Sequence, residues 1–287
     1  MAHPQRKLHS LEGIVAIGAL FLVLALTVGF AQADELREVQ LRSTSALVQD
    51  ADSGEIVLNK NSDAIVPIAS ITKLMTAMVT LDRGLDMHQR IVLSGEDVDA
   101  IKGTRSRLRT GSVLARDELL LLALMASENR AAHALGRTYP GGLDAFVAAM
   151  NAKAVALGMK DSRFVDPTGL SSANVSSARD LAKLVRAAHG YELIRQYSTT
   201  DRVTVTAFGR PVEFRNTNGL VRAGRWDIGL SKTGYIKEAG RCLVMRVRVA
   251  SKDLIVVLLD SWGRQSRIGD ANRIRKWLET SAAGRRI

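Results

Sequence analysis

Residues 67–76 read Pro67-Ile68-Ala69-Ser70-Ile71-Thr72-Lys73-Leu74-Met75-Thr76. Apolar side chains recur at steps of three and four from Ser70 to Arg83, which predicts a helix that Gly84 ends. Ser70 and Lys73 then lie about one turn apart on the same face. A serine needs a base to become a nucleophile, and a lysine is that base only where burial or a second cation disfavours its ammonium. The segment predicts a nucleophile and base at a helix start, where free N–H groups suit an oxyanion. The alternative is a solvent-facing pair on a core helix.

A second motif, Lys232-Thr233-Gly234, follows the strand-like residues Trp226–Leu230. On a strand, these residues make an edge that binds an anion. The ammonium supplies charge, the hydroxyl supplies a directed hydrogen bond, and the glycine lets a substrate backbone approach. Such a tripeptide is rarer by chance than Ser-x-x-Lys and therefore more informative. The alternative is a simple turn.

A third motif, Ser127-Glu128-Asn129, stands at the end of a very apolar predicted helix, Arg116–Ala126. Ser127 and Asn129 could be helix caps and nothing more. A second Ser-x-Asn occurs at Ser172-Ala173-Asn174, in a predicted loop. The first copy is preferred, because a rigid helix holds a catalytic group better than a loop does.

The predicted elements run from strands to helices, back to strands, and then to a last helix. Hairpins are predicted at Thr44–Asp50 with Glu55–Asn59 and at Cys242–Ala250 with Leu254–Leu259. The remaining predictions are helices at residues 128–137, 143–157, 178–189 and 264–280, and strands at 202–207 and 212–215. This order predicts an α+β fold in which helices flank an antiparallel sheet. A second, all-helical lobe is expected at roughly residues 85–175, with a ligand cleft between the lobes.

Composition excludes several classes of protein. The 287 residues are 46% hydrophobic, which excludes a disordered chain. A single cysteine excludes an intrachain disulfide scaffold and a cysteine-based zinc site. That residue, Cys242, lies in an apolar run, so we expect a small core residue and not a reactive thiol.

The N-terminus has the pattern of a secretory signal peptide. Basic residues Arg6 and Lys7 precede an apolar run from Ile14 to Phe30, and Ala31-Gln32-Ala33 follows it. We therefore expect residues 1–33 to be a signal peptide that is cleaved near Ala33. The remaining domain, residues 34–287, would act in the periplasm or outside the cell. An uncleaved membrane anchor is the alternative.

The charge is strongly basic, with 40 Lys+Arg against 29 Asp+Glu and a formal net charge of +11. Local clusters lie at Lys102–Arg109 and Arg273–Arg286. Such a surface favours anionic surroundings, and an envelope polymer or an anionic membrane surface fits an exported protein. Nucleic acid is disfavoured, because aromatic residues do not alternate with the basic ones. A merely solvated basic face is the alternative.

Taken together and in this order, the three motifs are the signature of penicillin-binding proteins and serine β-lactamases. The chain resembles the low-molecular-mass penicillin-binding proteins of the D-alanyl-D-alanine carboxypeptidase family. Residues 67–76, 166–170 and 216–220 carry this resemblance. Residues 127–132 and 232–242 look most like the D-alanyl-D-alanine endopeptidase branch. The implied fold is that of the DD-peptidases and β-lactamases.

The resemblance also implies a role for each motif residue. Ser70 attacks a D-alanyl carbonyl and becomes the acyl-ester, and Lys73 accepts its proton. Ser127 bridges toward Lys73 and passes a proton to the leaving amine. Asn129 holds the substrate amide, while Lys232, Thr233 and Gly234 form the strand edge that receives the free carboxylate. The backbone N–H groups of Ser70 and Tyr235 form the oxyanion hole.

The pKa of the base fits these roles, because Lys232 near Lys73 would disfavour the charged amine. Which group is the acylation base is disputed for this class of enzyme. No metal or cofactor is implied. The expected partners are peptidoglycan stem peptides, with β-lactam antibiotics as covalent inhibitors.

Three alternative functions remain at the level of sequence. A β-lactamase shares the motifs, but class A enzymes use a glutamate for deacylation and none lies between Glu128 and Glu192. A carboxypeptidase would use the same site. The chain ends soon after Trp262 and the last helix, without the extra β domain of many carboxypeptidases, which favours the endopeptidase. A catalytically idle wall-binding module would form no penicillin adduct.

Overall fold

The computed structural model describes residues 39–284, with side chains to residue 281. The predicted signal peptide, residues 1–33, lies outside the described residues. From Leu41 onward the chain forms one compact unit. No helix in the described part of the chain is long and apolar enough to span a membrane.

The described chain contains eight helices and eleven strands, with short 3₁₀ turns at Ala69–Thr72 and Gly95–Asp97. The helices are α1 (Lys73–Asp82), α2 (Arg116–Met125), α3 (Asn129–Arg137), α4 (Gly142–Ala156), α5 (Ala178–Ala188), α6 (Glu192–Thr199), α7 (Gly219–Ala223) and α8 (Ser266–Gly284). The strands are β1 (Ser43–Asp50), β2 (Ile56–Lys60), β3 (Val66–Pro67), β4 (Arg90–Val92), β5 (Val113–Ala115), β6 (Val175–Ser176), β7 (Arg202–Ala207), β8 (Arg210–Arg215), β9 (Asp227–Ile236), β10 (Gly240–Val249) and β11 (Lys252–Ser261).

Five strands form one antiparallel sheet in the order β2-β1-β11-β10-β9. The first long strand pairs with the last, from Ser43 opposite Ser261 to Asp50 opposite Leu254. This confirms that the first and last segments of the chain share one layer. Strand β9 lies at an edge of this sheet and pairs only with β10, with Thr233 opposite Leu243.

Helices cover the sheet on both faces. Both α5 and α8 pack against β1, β10 and β11. Leu47 and Val257 join the core cluster that contains α1 and α5. The next residue along each strand, Val48 after Leu47 and Val256 before Val257, points to the opposite face of the sheet. Both of these valines are also buried, so the second face is covered as well. The predicted antiparallel sheet flanked by helices is confirmed.

Helix α1 lies at the centre of the helical layer and contacts α2, α3, α4, α5 and α6. Its residues from Lys73 to Thr80 are all buried. The sequence predicts this helix from Ser70, but the α-helix begins at Lys73 and Ser70 lies in the preceding 3₁₀ turn. The segment 85–175, predicted as helical, holds α2, α3 and α4 but also the ladder of β4 with β5. It is therefore not helical throughout.

A buried ion cluster anchors α3 to the preceding loop. Asp97 accepts hydrogen bonds from Arg137 Nε at 3.0 Å and Nη2 at 2.8 Å, and its Oδ1 lies 2.8 Å from His133 Nδ1. Burial would raise the pKa of Asp97, but the bonds from His133 and Arg137 outweigh it and lower the pKa to about 2. The cluster fixes the helix whose first residue is Asn129.

Candidate active site

The predicted nucleophile and base are in direct contact. The Nζ atom of Lys73 lies 2.9 Å from Ser70 Oγ, and it also contacts Asn129 Oδ1 at 2.7 Å and the carbonyl of Thr168 at 2.6 Å. A neutral amine has two N–H donors and one lone pair. Two of these partners only accept, whereas the third is a hydroxyl that can donate. The three contacts fit an ammonium that donates to all three oxygens, and equally a neutral amine whose lone pair accepts from Ser70.

The protonation of Lys73 follows from its surroundings. Burial lowers the pKa of Lys73 to about 7, and the carboxylates of Asp166, Glu128 and Asp99 act in the opposite direction. The sequence predicts burial or a second cation as the cause of a lowered pKa, with Lys232 as that cation. Burial is the main cause, and Lys232 is not among the groups that shift the pKa of Lys73. A pKa near neutrality suits a general base.

Across from Ser70, Lys232 is buried in strand β9. Its Nζ donates to Ser127 Oγ at 2.8 Å and to the carbonyl of Thr233 at 3.1 Å. Burial lowers the pKa of Lys232 well below its usual value, and the charges of Lys73 and Arg267 lower it further. No carboxylate lies among the described partners of Lys232, so an anion bound here would favour the charged form of its amine.

Ser127 lies between α2 and α3, and its backbone has a positive φ of 58°. The amide of Glu128 returns to the carbonyl of Leu122, which ties this kink to the end of α2. The sequence predicts a bridge from Ser127 to Lys73. Among the described residues, Ser127 Oγ accepts its hydrogen bond from Lys232 instead. The residue of this motif that contacts Lys73 is Asn129. The kink at Ser127 explains this difference, because it directs the side chains of Ser127 and Asn129 to different lysines.

The alternative Ser-x-Asn motif has a different role. Ser172 is exposed, whereas Asn174 is buried and accepts the backbone N–H of Val165. Its Nδ2 donates to Asp166 at 2.7 Å. This motif therefore builds a loop and does not contact the described partners of Lys73.

That loop supplies a contact which the motif analysis missed. Asp166 accepts bonds from the backbone of Thr168, Gly169 and Ser171. The loop is thereby folded so that the carbonyl of Thr168 faces Lys73. Gly169 has a φ of +77°, and a Cβ atom there would lie 2.0 Å from the carbonyl oxygen of Ala69.

Gly234 packs against the other side of the same 3₁₀ turn. A Cβ atom on Gly234 would lie 2.9 Å from the carbonyl oxygen of Ile68 and 3.2 Å from the backbone nitrogen of Ser70. Glycine therefore allows β9 to approach the nucleophile. The exposed side chain of the next residue, Tyr235, packs under Arg241 at 4.4 Å.

The edge of β9 is extended by residues that sequence reasoning did not place in the site. Thr217 Oγ1 lies 2.6 Å from Thr233 Oγ1, and Asn218 Nδ2 donates to Ser231 Oγ at 2.8 Å. Their signal was available, because residues 216–220 carry the family resemblance. Arg267 of α8 donates to the carbonyl of Gly234 at 3.0 Å, and no motif marks it.

Comparison with known proteins agrees with this geometry. A family model described as D-alanyl-D-alanine carboxypeptidase matches residues 31–263. The chain belongs to this family. It is a serine DD-peptidase with a DD-peptidase fold. The Streptomyces K15 DD-transpeptidase has a similar structure, with a TM-score of 0.77 at 25% identity over 83% of this chain and 97% of that chain.

More similar relatives of this serine DD-peptidase are named D-alanyl-D-alanine endopeptidase. The Pseudomonas aeruginosa protein is 51% identical over 84% of this chain and 78% of its own length. The Escherichia coli protein is 46% identical over 87% and 81%. The carboxypeptidase DacF of Bacillus subtilis is more distant, at 31% identity. The predicted resemblance to the endopeptidase branch is confirmed.

Proposed function

We propose that this serine DD-peptidase is an exported D-alanyl-D-alanine endopeptidase that cleaves cross-links between peptidoglycan stem peptides. The observation that carries the proposal is the 2.9 Å contact of Ser70 with a buried Lys73. The names of the two most similar relatives described above support the choice of substrate. The signal-like N-terminus supports export to the periplasm.

Acylation uses the neutral form of Lys73. Ser70 Oγ attacks the D-alanyl carbonyl while its proton moves to Lys73 Nζ. The oxyanion is held by the backbone N–H groups of Ser70 and Tyr235. This assignment is supported by the close approach of Gly234, the residue before Tyr235, to the Ser70 nitrogen.

Collapse of the tetrahedral intermediate expels the amine. The proton taken by Lys73 passes to the leaving nitrogen by way of the Ser127 hydroxyl, a step that requires this hydroxyl to come within hydrogen-bond distance of Lys73 once substrate is bound. The oxygen of that hydroxyl is held by Lys232, so its own proton is not used in that bond. Water then attacks the ester with Lys73 again as base, and Ser70 is regenerated.

The buried ammonium of Lys232 recognises the carboxylate beside the scissile bond. The hydroxyls of Thr233 and Thr217 are 2.6 Å apart, so one donates to the other and the second keeps its proton for the same anion. Asn129 uses its oxygen on Lys73 and its Nδ2 on Thr104 at 3.0 Å. The side-chain amide of Asn129 is therefore already hydrogen-bonded before substrate binds. We assign two roles to Asn129, which are to position Lys73 and to hold the substrate amide.

A β-lactamase is disfavoured by the saturation of Asp166. This carboxylate accepts from three backbone amides and from Thr168 and Asn174, which leaves it poorly suited to activate water. Penicillin should therefore acylate Ser70 stably. A carboxypeptidase is the second candidate, favoured by the shared family, and it differs in removing a single terminal D-alanine.

Purified protein and Ser70→Ala should be compared with fluorescent penicillin and with purified cross-linked muropeptides analysed by mass. Wild type should be labelled and should split dimers into monomers, and Ser70→Ala should do neither. The exposed Ser172→Ala is a matched control and should behave as wild type. Labelling of Ser70→Ala would refute the nucleophile, and loss of only a terminal D-alanine would establish a carboxypeptidase.

A further inference from the structure

A basic groove lies between the segment Ser106–Ser112 and the hairpin β7–β8. Its volume is about 580 Å³. Its lining includes Arg107, Arg109 and Arg210 together with Phe208. Arg107 and Arg109 belong to the basic cluster Lys102–Arg109, and the proposed reaction uses neither of them.

Two of the groove's arginines are available to a ligand. The side chains of Arg109 and Arg210 are exposed and make no hydrogen bond or ion pair within residues 39–281. Arg107 is held in place, because it donates to the carbonyl of Glu213 at 2.5 Å and stacks over Phe214 at 4.3 Å. The groove therefore has one cation held by the protein and two that have no partner among the described residues.

A buried hydroxyl in the lining also lacks a partner. Ser112 is fully buried and lines the groove, and its Oγ has no hydrogen-bond partner among the described residues. Buried polar atoms of this kind are uncommon without a partner. Phe208 is 60% exposed at the tip of the hairpin and provides an apolar wall. Cations, an unpaired hydroxyl and an apolar wall together fit a peptide that carries carboxylates.

Both walls of the groove are connected to residues of the active site. On one wall, Thr104 accepts from Asn129 Nδ2, and Arg130 donates to the carbonyl of Leu108 at 2.8 Å. On the other wall, β8 ends two residues before Thr217, which contacts Thr233. A ligand that extends from the Lys232 edge past Thr104 or Thr217 would therefore run toward this groove.

We propose that the groove binds the second stem peptide of a cross-linked substrate, the one that leaves as the amine, through its free carboxylates. This inference rests on the proposed endopeptidase function. Arginine suits the task, because its planar fork pairs with a carboxylate through two hydrogen bonds. A single D-alanine leaving group is too short to reach the groove, so the groove separates cross-linked substrates from terminal ones.

The test compares Arg109→Gln/Arg210→Gln with Arg83→Gln, which removes an exposed cation at the end of α1. For each protein, kcat/KM for a purified muropeptide dimer is divided by the second-order rate constant for penicillin acylation. We expect this ratio to fall about tenfold in the double variant and to stay at the wild-type value in Arg83→Gln. The fall should shrink at high salt, because the contacts are between exposed charges.

The outcomes separate the two proposals. If the double variant keeps the wild-type ratio while wild type cleaves dimers, the groove proposal is wrong and the endopeptidase stands. If wild type is labelled by penicillin but leaves dimers intact, the proposed function fails, and the groove proposal fails with it. An equal fall in Arg83→Gln would show a nonspecific charge effect and overturn the groove.

Discussion

Acidification should slow acylation of Ser70 in proportion to the neutral fraction of Lys73. With the pKa of Lys73 at about 7, that fraction is about 90% at pH 8, about 50% at pH 7 and about 1% at pH 5. The sign is clear, because a proton bound to Lys73 removes the lone pair that accepts the Ser70 proton. The second-order rate constant for fluorescent penicillin should therefore fall about 90-fold from pH 8 to pH 5.

An ordinary lysine would give a different curve. With a pKa of 10.5, the rate would rise about tenfold per pH unit from pH 5 to beyond pH 9. Stopped-flow labelling across this range distinguishes the two. A rate that keeps rising through pH 9, or one that is constant between pH 5 and 8, refutes the assignment of Lys73 as a base of lowered pKa.

A charge variant tests the cause of the pKa. The carboxylate of Glu128 raises the pKa of Lys73, so Glu128→Gln should move the midpoint of the pH profile to lower pH. The amide oxygen can still accept the N–H of Arg130, as Glu128 does. The exposed Glu55, in the β1–β2 hairpin, offers the control Glu55→Gln, which should leave the midpoint in place.

Three further predictions concern the loop, the ion cluster and the anion site. Gly169→Ala should cost about 3 kcal/mol in free energy of unfolding, because its Cβ would meet a backbone carbonyl. Gly84→Ala, also at positive φ but in open space, should cost about 1 kcal/mol, and equal costs in urea unfolding would contradict the close packing. Asp97→Asn should lower the free energy of unfolding by about 2 kcal/mol at pH 7, because the pKa of Asp97 is about 2 in the folded protein and 3.8 as the ordinary value. This stabilisation is present above pH 4 and is lost as the pH falls toward 2. A difference that persists unchanged at pH 2 to 3 would argue against this linkage. Lys232→Ala should raise KM for a carboxylate-bearing peptide about tenfold or more, and an unchanged KM would remove Lys232 from anion binding.

Local sequence carried enough information to predict that Ser70 and Lys73 lie side by side and that Lys232 lies on a strand. The spacing of Ser70 and Lys73 places both on one turn, and the strand at Lys232 brings a cation to the sheet edge. Long apolar periodicities likewise predicted α1 and α2. The two hairpins of the sheet were predicted because Asp-Ser-Gly and Ser-Lys-Asp mark tight turns between apolar runs.

The missing parts depend on tertiary contacts. The partner of Ser127 is set by a positive-φ kink that no residue type in the motif requires. The contact of Lys73 with Thr168 uses a backbone carbonyl, which has no side-chain signature. Arg267 reaches the site from the far end of the chain and resembles any other basic residue of α8. Helix α6 is only eight residues long, which is too short for its apolar positions to establish a helical period in the sequence.

The pairing of β1 with β11 makes the assembly of the active site depend on a strand that comes late in the chain. Ser43 and Ser261 are partners across more than two hundred residues, and β9 reaches β1 only through β10 and β11. A growing polypeptide can form the helices that carry Ser70 and Lys73 well before the sheet closes. Until residues 252–261 have emerged, the β9–β10 hairpin that carries Lys232 is not joined to β1, and we expect the nascent chain to be inactive.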